Sequence, residues 1–67
     1  MKRYIKSTSF MDVLNDPEGR KIVDYIEDAE SEMRGRGIDF DDESSAYARQ
    51  RKRGIEELKS KFGYVWK

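Results

Sequence analysis

The stretch DPEGRKIVDYIEDAESEMRGRG, residues 16–37, decides the fold of this 67-residue chain. It begins with Asp16, a preferred N-cap residue, and Pro17, which suits the first position of a helix. Apolar residues then recur at helical spacing, which places them on one face: Ile22, Val23, Ile26, Ala29 and Met33. The pattern predicts an amphipathic helix over residues 17–34, which the glycines that follow would end.

A short helix is predicted before this stretch. Ser9 is followed by Asp12, and a Ser with an acid at this spacing caps helix N-termini. We expect this helix over about residues 10–15, because the Asp-Pro pair then starts the next one. A minor two-stranded β element is a further prediction for the two ends of the chain, because residues 3–6 have enough β-propensity to pair with residues 64–67.

A second long helix is predicted over residues 43–62. Asp41 or Asp42 would be its N-cap, and its apolar stripe consists of Ala48, Ile55, Leu58 and Phe62. Gly54 falls within the helix, where it weakens the helix and marks a close approach between backbones. Residues 1–67 are therefore interpreted as one small all-α domain of three helices, in which the two long helices form an antiparallel hairpin.

Composition narrows the classes of function. Charged residues make up 42% of the chain, hydrophobic residues 36%, and the mean hydropathy is −1.01. Cysteine and histidine are both absent, which removes disulfides, thiolate nucleophiles, Cys-based zinc sites and the commonest acid-base side chain. No paired carboxylates or phosphate-binding loop are recognisable, so we expect no enzyme activity and no cofactor.

One acidic run imitates a calcium loop. Asp39, Asp41 and Glu43 have the spacing of its first, third and fifth ligands. Ser44 then stands where the loop needs glycine, and Gln50 where it needs a bidentate glutamate. Helix capping explains these acids better, and we expect no metal site.

Charge is sorted along the chain although the total is zero. Residues 22–45 contain nine acidic and two basic side chains, whereas residues 46–67 contain seven basic and two acidic ones. Arg51 lies within the apolar stripe of the last helix, so it needs a counter-charge, and Glu30 is the first candidate. Among the aromatics of the tail, Phe62 and Trp66 are expected to be buried and Tyr64 partly exposed.

The charge pattern supports three hypotheses about function. The preferred one is a protein-binding module, with a contact surface predicted to comprise Asp24, Glu27, Asp28, Glu32, Arg51 and Tyr64. The alternative is a nucleic-acid binder that uses the basic helix, through Arg49, Lys52, Arg53 and Lys59. The third is a self-associating structural protein, such as a homodimer that shares its aromatic residues.

The first seven residues, Met1-Lys2-Arg3-Tyr4-Ile5-Lys6-Ser7, resemble the start of small reading frames carried by phages and mobile elements. This resemblance implies an accessory or inhibitor protein that acts by binding host or rival machinery. The chain has no apolar run long enough to span a membrane and no signal-peptide pattern at its start, so we expect a cytoplasmic protein without a membrane partner.

Overall fold

Residues 9–66 form three helices in the structure, a computed structural model that describes this part of the chain. They are α1, Phe10–Asn15, α2, Pro17–Arg36, and α3, Ala46–Phe62. The prediction of a small all-α domain is confirmed, and α2 extends slightly beyond its predicted end at residue 34. No strand occurs within residues 9–66. Residues 3–6, the first half of the predicted two-stranded element, lie outside the described residues.

The junction between α1 and α2 is fixed by side-chain caps. The Ser9 hydroxyl accepts a hydrogen bond from the Asp12 amide at 3.2 Å, and the Asp12 carboxylate accepts one from the Ser9 amide at 3.3 Å. The Asp16 carboxylate then accepts from the amide of Glu18 at 2.9 Å and from that of Gly19 at 3.3 Å. These bonds satisfy amides that have no partner within the helices, as the sequence predicted.

Glycine ends both long helices. Gly37 after α2 has φ 69° and Gly63 after α3 has φ 67°, the left-handed conformation that side chains with a Cβ rarely adopt. The prediction that a glycine ends α2 is confirmed at Gly37, whereas Gly35 lies inside the helix.

The predicted start of α3 is wrong. The N-cap is Ser45, whose hydroxyl accepts from the amides of Tyr47 at 3.2 Å and Ala48 at 3.4 Å, so the helix begins at residue 46 and not at residue 43. Asp42 forms a separate turn, in which its carboxylate accepts from the Ser44 amide at 3.1 Å and the Ser44 hydroxyl at 2.6 Å. Because its carboxylate is engaged in this way, Asp42 does not cap the helix.

The turn at Asp42 predicts a measurable pH effect. The hydrogen bonds from the Ser44 hydroxyl and amide lower the pKa of Asp42 below its ordinary value, because they favour the charged carboxylate. This contact therefore stabilises the fold at pH above the unfolded-state pKa, and its contribution is lost as the pH falls through the folded-state pKa. NMR titration of Ser44→Ala should show the Asp42 pKa move upward toward the ordinary value. An unchanged pKa would contradict the turn.

The contacts between α2 and α3 run in opposite order along the two helices. Lys61 near the end of α3 bonds to Glu18 near the start of α2, and Arg51 in the first half of α3 bonds to Glu30 in the second half of α2. The Glu18 carboxylate raises the pKa of Lys61 through this hydrogen bond. Gly54 lies against the Ile26 side chain, so its nearest neighbour is a side chain of α2 and not the backbone that its position predicted.

The core lies where the helices meet and is covered by α1 and the tail. Its centre consists of Val13, Ile22, Val23, Ile26 and Leu58. Phe10 of α1 contacts two aromatics of the tail, Tyr64 at 5.9 Å and Trp66 at 6.1 Å between ring centroids. Within the described part of the chain, no helix combines the length and the hydropathy needed to cross a membrane.

Candidate functional site

The outer side of α2 carries a row of carboxylates, which we call the acidic face: Asp24, Glu27, Asp28 and Glu32. All four side chains are exposed, and the opposite side of α2 is buried in the core through Ile22, Ile26 and Met33. This is the arrangement that helical periodicity predicts when apolar residues fill the other face. The structure thus brings four of the six predicted protein-contact residues together.

Three members of the acidic face have no partner in the described part of the chain. Within residues 9–66, Asp24, Glu27 and Asp28 take part in no ion pair and no side-chain hydrogen bond. Their carboxylates therefore give this side of α2 a local negative potential. Such a potential attracts a basic surface.

Glu32 differs from these three because it has a partner. Its carboxylate accepts a hydrogen bond from Arg36 Nε at 3.1 Å, and this bond raises the pKa of Arg36. The Arg36 guanidinium also lies 5.4 Å from the ring centroid of Tyr47. Glu32 thus belongs to the acidic face by position, but its charge is largely balanced within the chain.

Arg51 lies on another side of the molecule, in what we call the Glu30 cluster: Glu30, Arg34, Phe40, Arg51 and Trp66. Arg51 Nε donates to the Glu30 carboxylate at 2.7 Å, so the predicted pairing is confirmed. Glu30 is only 8% exposed, and all its close polar partners are donors from the surrounding side chains. Arg51 is therefore committed to the interior and does not lie on the acidic face.

Two contacts of the Glu30 cluster were not predicted. The Trp66 indole N–H donates to Glu30 Oε2 at 3.0 Å, and the Arg51 guanidinium lies 4.3 Å from the centroid of the Phe40 ring. Both aromatic residues belong to segments without helical periodicity, so helical patterning carries no signal for their placement. The need of a half-buried indole for an acceptor is the only sequence-level hint for the first contact.

Tyr64 also lies away from the acidic face. It packs against Phe10 and the core, and it is half-buried, as expected from the sequence. Phe62 and Trp66 were expected to be buried, but both are only partly buried.

The four basic residues of the alternative interface lie on the exposed part of α3. Arg49 donates to the backbone carbonyl of Glu43 at 3.0 Å, and Lys52 lies 3.8 Å from the Glu43 carboxylate. Arg53 and Lys59 have no carboxylate within salt-bridge distance among residues 9–66. Half of the predicted basic set is thus already engaged with the linker before α3.

Tyr25 is the residue near the acidic face that sequence reasoning missed. Its side chain is 40% exposed, and it lies at the edge of a groove between α2 and α3. The groove is lined by Glu18, Lys21, Ile22, Tyr25, Arg53 and Glu57. Its position at the edge of the apolar stripe was the available signal, because Tyr25 lies three residues after Ile22 and four before Ala29.

Comparisons with protein-family models, with curated proteins and with solved structures found no match for this chain. In the part of the chain that the structure describes, no group of three or more acidic side chains is arranged to hold a metal ion.

Proposed function

We propose that this chain is a non-enzymatic protein-binding module that contacts its partner through the acidic face of α2. The observation that carries the proposal is that Asp24, Glu27 and Asp28 are exposed and unpaired within residues 9–66. The partner of this proposal is a protein with a lysine- or arginine-rich surface. A negative helix face of this kind increases the association rate and the specificity for such a surface.

The support of α2 by the core favours this role. In the proposal the two long helices form an antiparallel hairpin, which agrees with the reversed order of their contacts. Because Ile26 and Met33 are fully buried behind the acidic face, the carboxylates are held on a fixed backbone. Less conformational entropy is then lost when a partner binds.

The specific form of the proposal is an accessory or inhibitor protein of a phage or mobile element that acts in the cytoplasm. Regularly spaced carboxylates on a helix can imitate a phosphate backbone, so a nucleic-acid-binding cleft of another protein is a suitable basic surface. The same carboxylates repel a nucleic acid from this side of the molecule.

The nucleic-acid alternative has weaker support. Two of its four residues, Arg49 and Lys52, already have contacts with Glu43. Even four cations contact few phosphates, and affinity for a duplex grows with the number of phosphates that a protein neutralises. Self-association stays as the third hypothesis.

Charge reversal tests the proposed surface. The chain with Asp24→Lys and Asp28→Lys should lose capture of its protein partner from a lysate of the host cell, because both unpaired carboxylates become repulsive toward a basic surface. The measurement is affinity capture followed by mass spectrometry. Circular dichroism should show an unchanged helical signal, because both residues are exposed.

The matched control is Asp39→Lys with Asp41→Lys. These two residues are also exposed and belong to the linker before α3. Their replacement by lysine changes the net charge by the same amount as the α2 variant does. Capture should survive in this control. If the α2 variant retained its partner, or if both variants lost it equally, the acidic face would not be the contact surface.

A further inference from the structure

Tyr25 is the aromatic residue of α2, and its setting differs from that of the core residues. Its ring lies over Gly54 of α3, where an added Cβ would be 3.3 Å from Tyr25 Cδ2. Gln50 Nε2 donates to the Tyr25 carbonyl at 2.9 Å, which ties the α2 backbone to α3 at this point. The side chain is therefore held in place although 40% of it is exposed.

The groove beside Tyr25 is lined by both apolar and charged residues. Ile22 and Tyr25 supply apolar surface, and the charged lining residues are Glu18, Lys21, Arg53 and Glu57. The groove borders the acidic face at Asp28, which lies three residues after Tyr25 and is therefore its neighbour on the helix surface, and Asp24 lies one helical turn before Asp28. An apolar recess thus lies beside the acidic face.

We propose that this groove receives an apolar side chain from a basic segment of the partner, whose lysines or arginines contact Asp24 and Asp28. The inference rests on the proposed function and names the chemistry of the partner segment. The groove lining itself is balanced in charge, with Lys21 and Arg53 against Glu18 and Glu57. The acidic face beside it therefore sets the charge of the occupant, since Asp24 and Asp28 have no ion-pair partner within residues 9–66.

The apolar contact is needed for affinity. Exposed ion pairs contribute little individually, and salt screens them further. Interfaces obtain most of their affinity from a few buried anchors, among which tyrosine is enriched, surrounded by polar contacts that exclude water. Tyr25 has the position of such an anchor, with Asp24 and Asp28 as its polar surroundings.

Two labelled peptides of equal length and charge test the inference. Both are lysine-rich, and the central residue is alanine in one and leucine in the other. Fluorescence anisotropy at low salt should show the leucine peptide binding about tenfold more tightly, because the larger side chain buries more apolar surface. Tyr25→Gln should remove this preference and leave the affinity for the alanine peptide unchanged.

Met11→Gln is the matched control, because Met11 is an exposed apolar residue of α1 at 63% exposure. This variant should keep the preference for leucine. If Tyr25→Gln fails to fold, amide chemical shifts of the unaltered chain supply the test: addition of the leucine peptide should shift Ile22, Tyr25 and Arg53 more than the alanine peptide does.

Each outcome is decisive. Equal affinity for the two peptides would overturn the inference and leave the proposed function standing, whereas no binding of either would overturn both. A leucine preference that persists in Tyr25→Gln would place the apolar contact elsewhere. Concentration-dependent dimerisation in sedimentation that Tyr25→Gln abolishes would assign the groove to a second copy of this chain and overturn the inference.

Discussion

Replacing Gly54 by alanine should destabilise the domain by about 1 to 2 kcal/mol, although alanine is the better helix former. The added methyl group would overlap Ile26 Cγ1, which is next to the backbone and cannot turn away as a flexible chain end would. Ile26 is fully buried, so α2 and α3 must move apart to accommodate the methyl group. The steric cost exceeds the gain in helix propensity. Urea unfolding followed by circular dichroism measures the difference.

Gly35→Ala is the control for helix propensity. Gly35 also lies within a helix, but a Cβ there would meet nothing within 4 Å. The variant should be more stable by up to about 0.5 kcal/mol, since it lies near the helix end where the gain is reduced. If Gly54→Ala were as stable as Gly35→Ala, the close approach of the two helices at Ile26 would be wrong.

Replacing Glu30 by methionine should cost about 2 to 3 kcal/mol of stability. Methionine keeps most of the side-chain volume but removes the acceptor for Arg51 and for the Trp66 indole. The Arg51 side chain is 21% exposed, so it is left largely buried without a counter-charge. Urea unfolding should show the loss, and the emission of Trp66 should change because its indole N–H loses its partner.

The double variant Glu30→Met with Arg51→Met separates charge from packing. It should recover most of the lost stability, because neither charge is then left unpaired. Glu32→Met is the surface control and should cost less than about 1 kcal/mol, since Glu32 and its partner Arg36 are both at least 50% exposed. A double variant as unstable as Glu30→Met would contradict the assigned role of the ion pair.

The sequence was sufficient for features that depend on local chemistry. The start of α2 follows from Asp16 and Pro17, and its end from Gly37, because caps and left-handed glycines act over a few residues. The pairing of Glu30 with Arg51 was predictable because periodicity places both at the apolar faces of their helices. The four residues of the acidic face were placed on one exposed side of α2 for the same reason.

Two kinds of feature were not predictable from the sequence: the choice between two competing N-cap residues, and the packing of segments that are distant in the sequence. Asp42 and Ser45 are both good N-caps, and only the turn formed with Ser44 shows which of them begins α3. Phe40 and Trp66 belong to irregular segments, whose path is set by tertiary packing. The groove at Tyr25 likewise depends on the separation of α2 and α3.

Mapping the contact surface by NMR tests the central claim most directly. Backbone amide shifts of the isotope-labelled chain would be compared with and without the protein captured from the lysate. We predict that the largest changes occur at Asp24, Tyr25 and Asp28, along the outer side of α2. Changes centred on Arg49, Lys52 and Arg53, with none on α2, would contradict the claim that the acidic face is the binding surface.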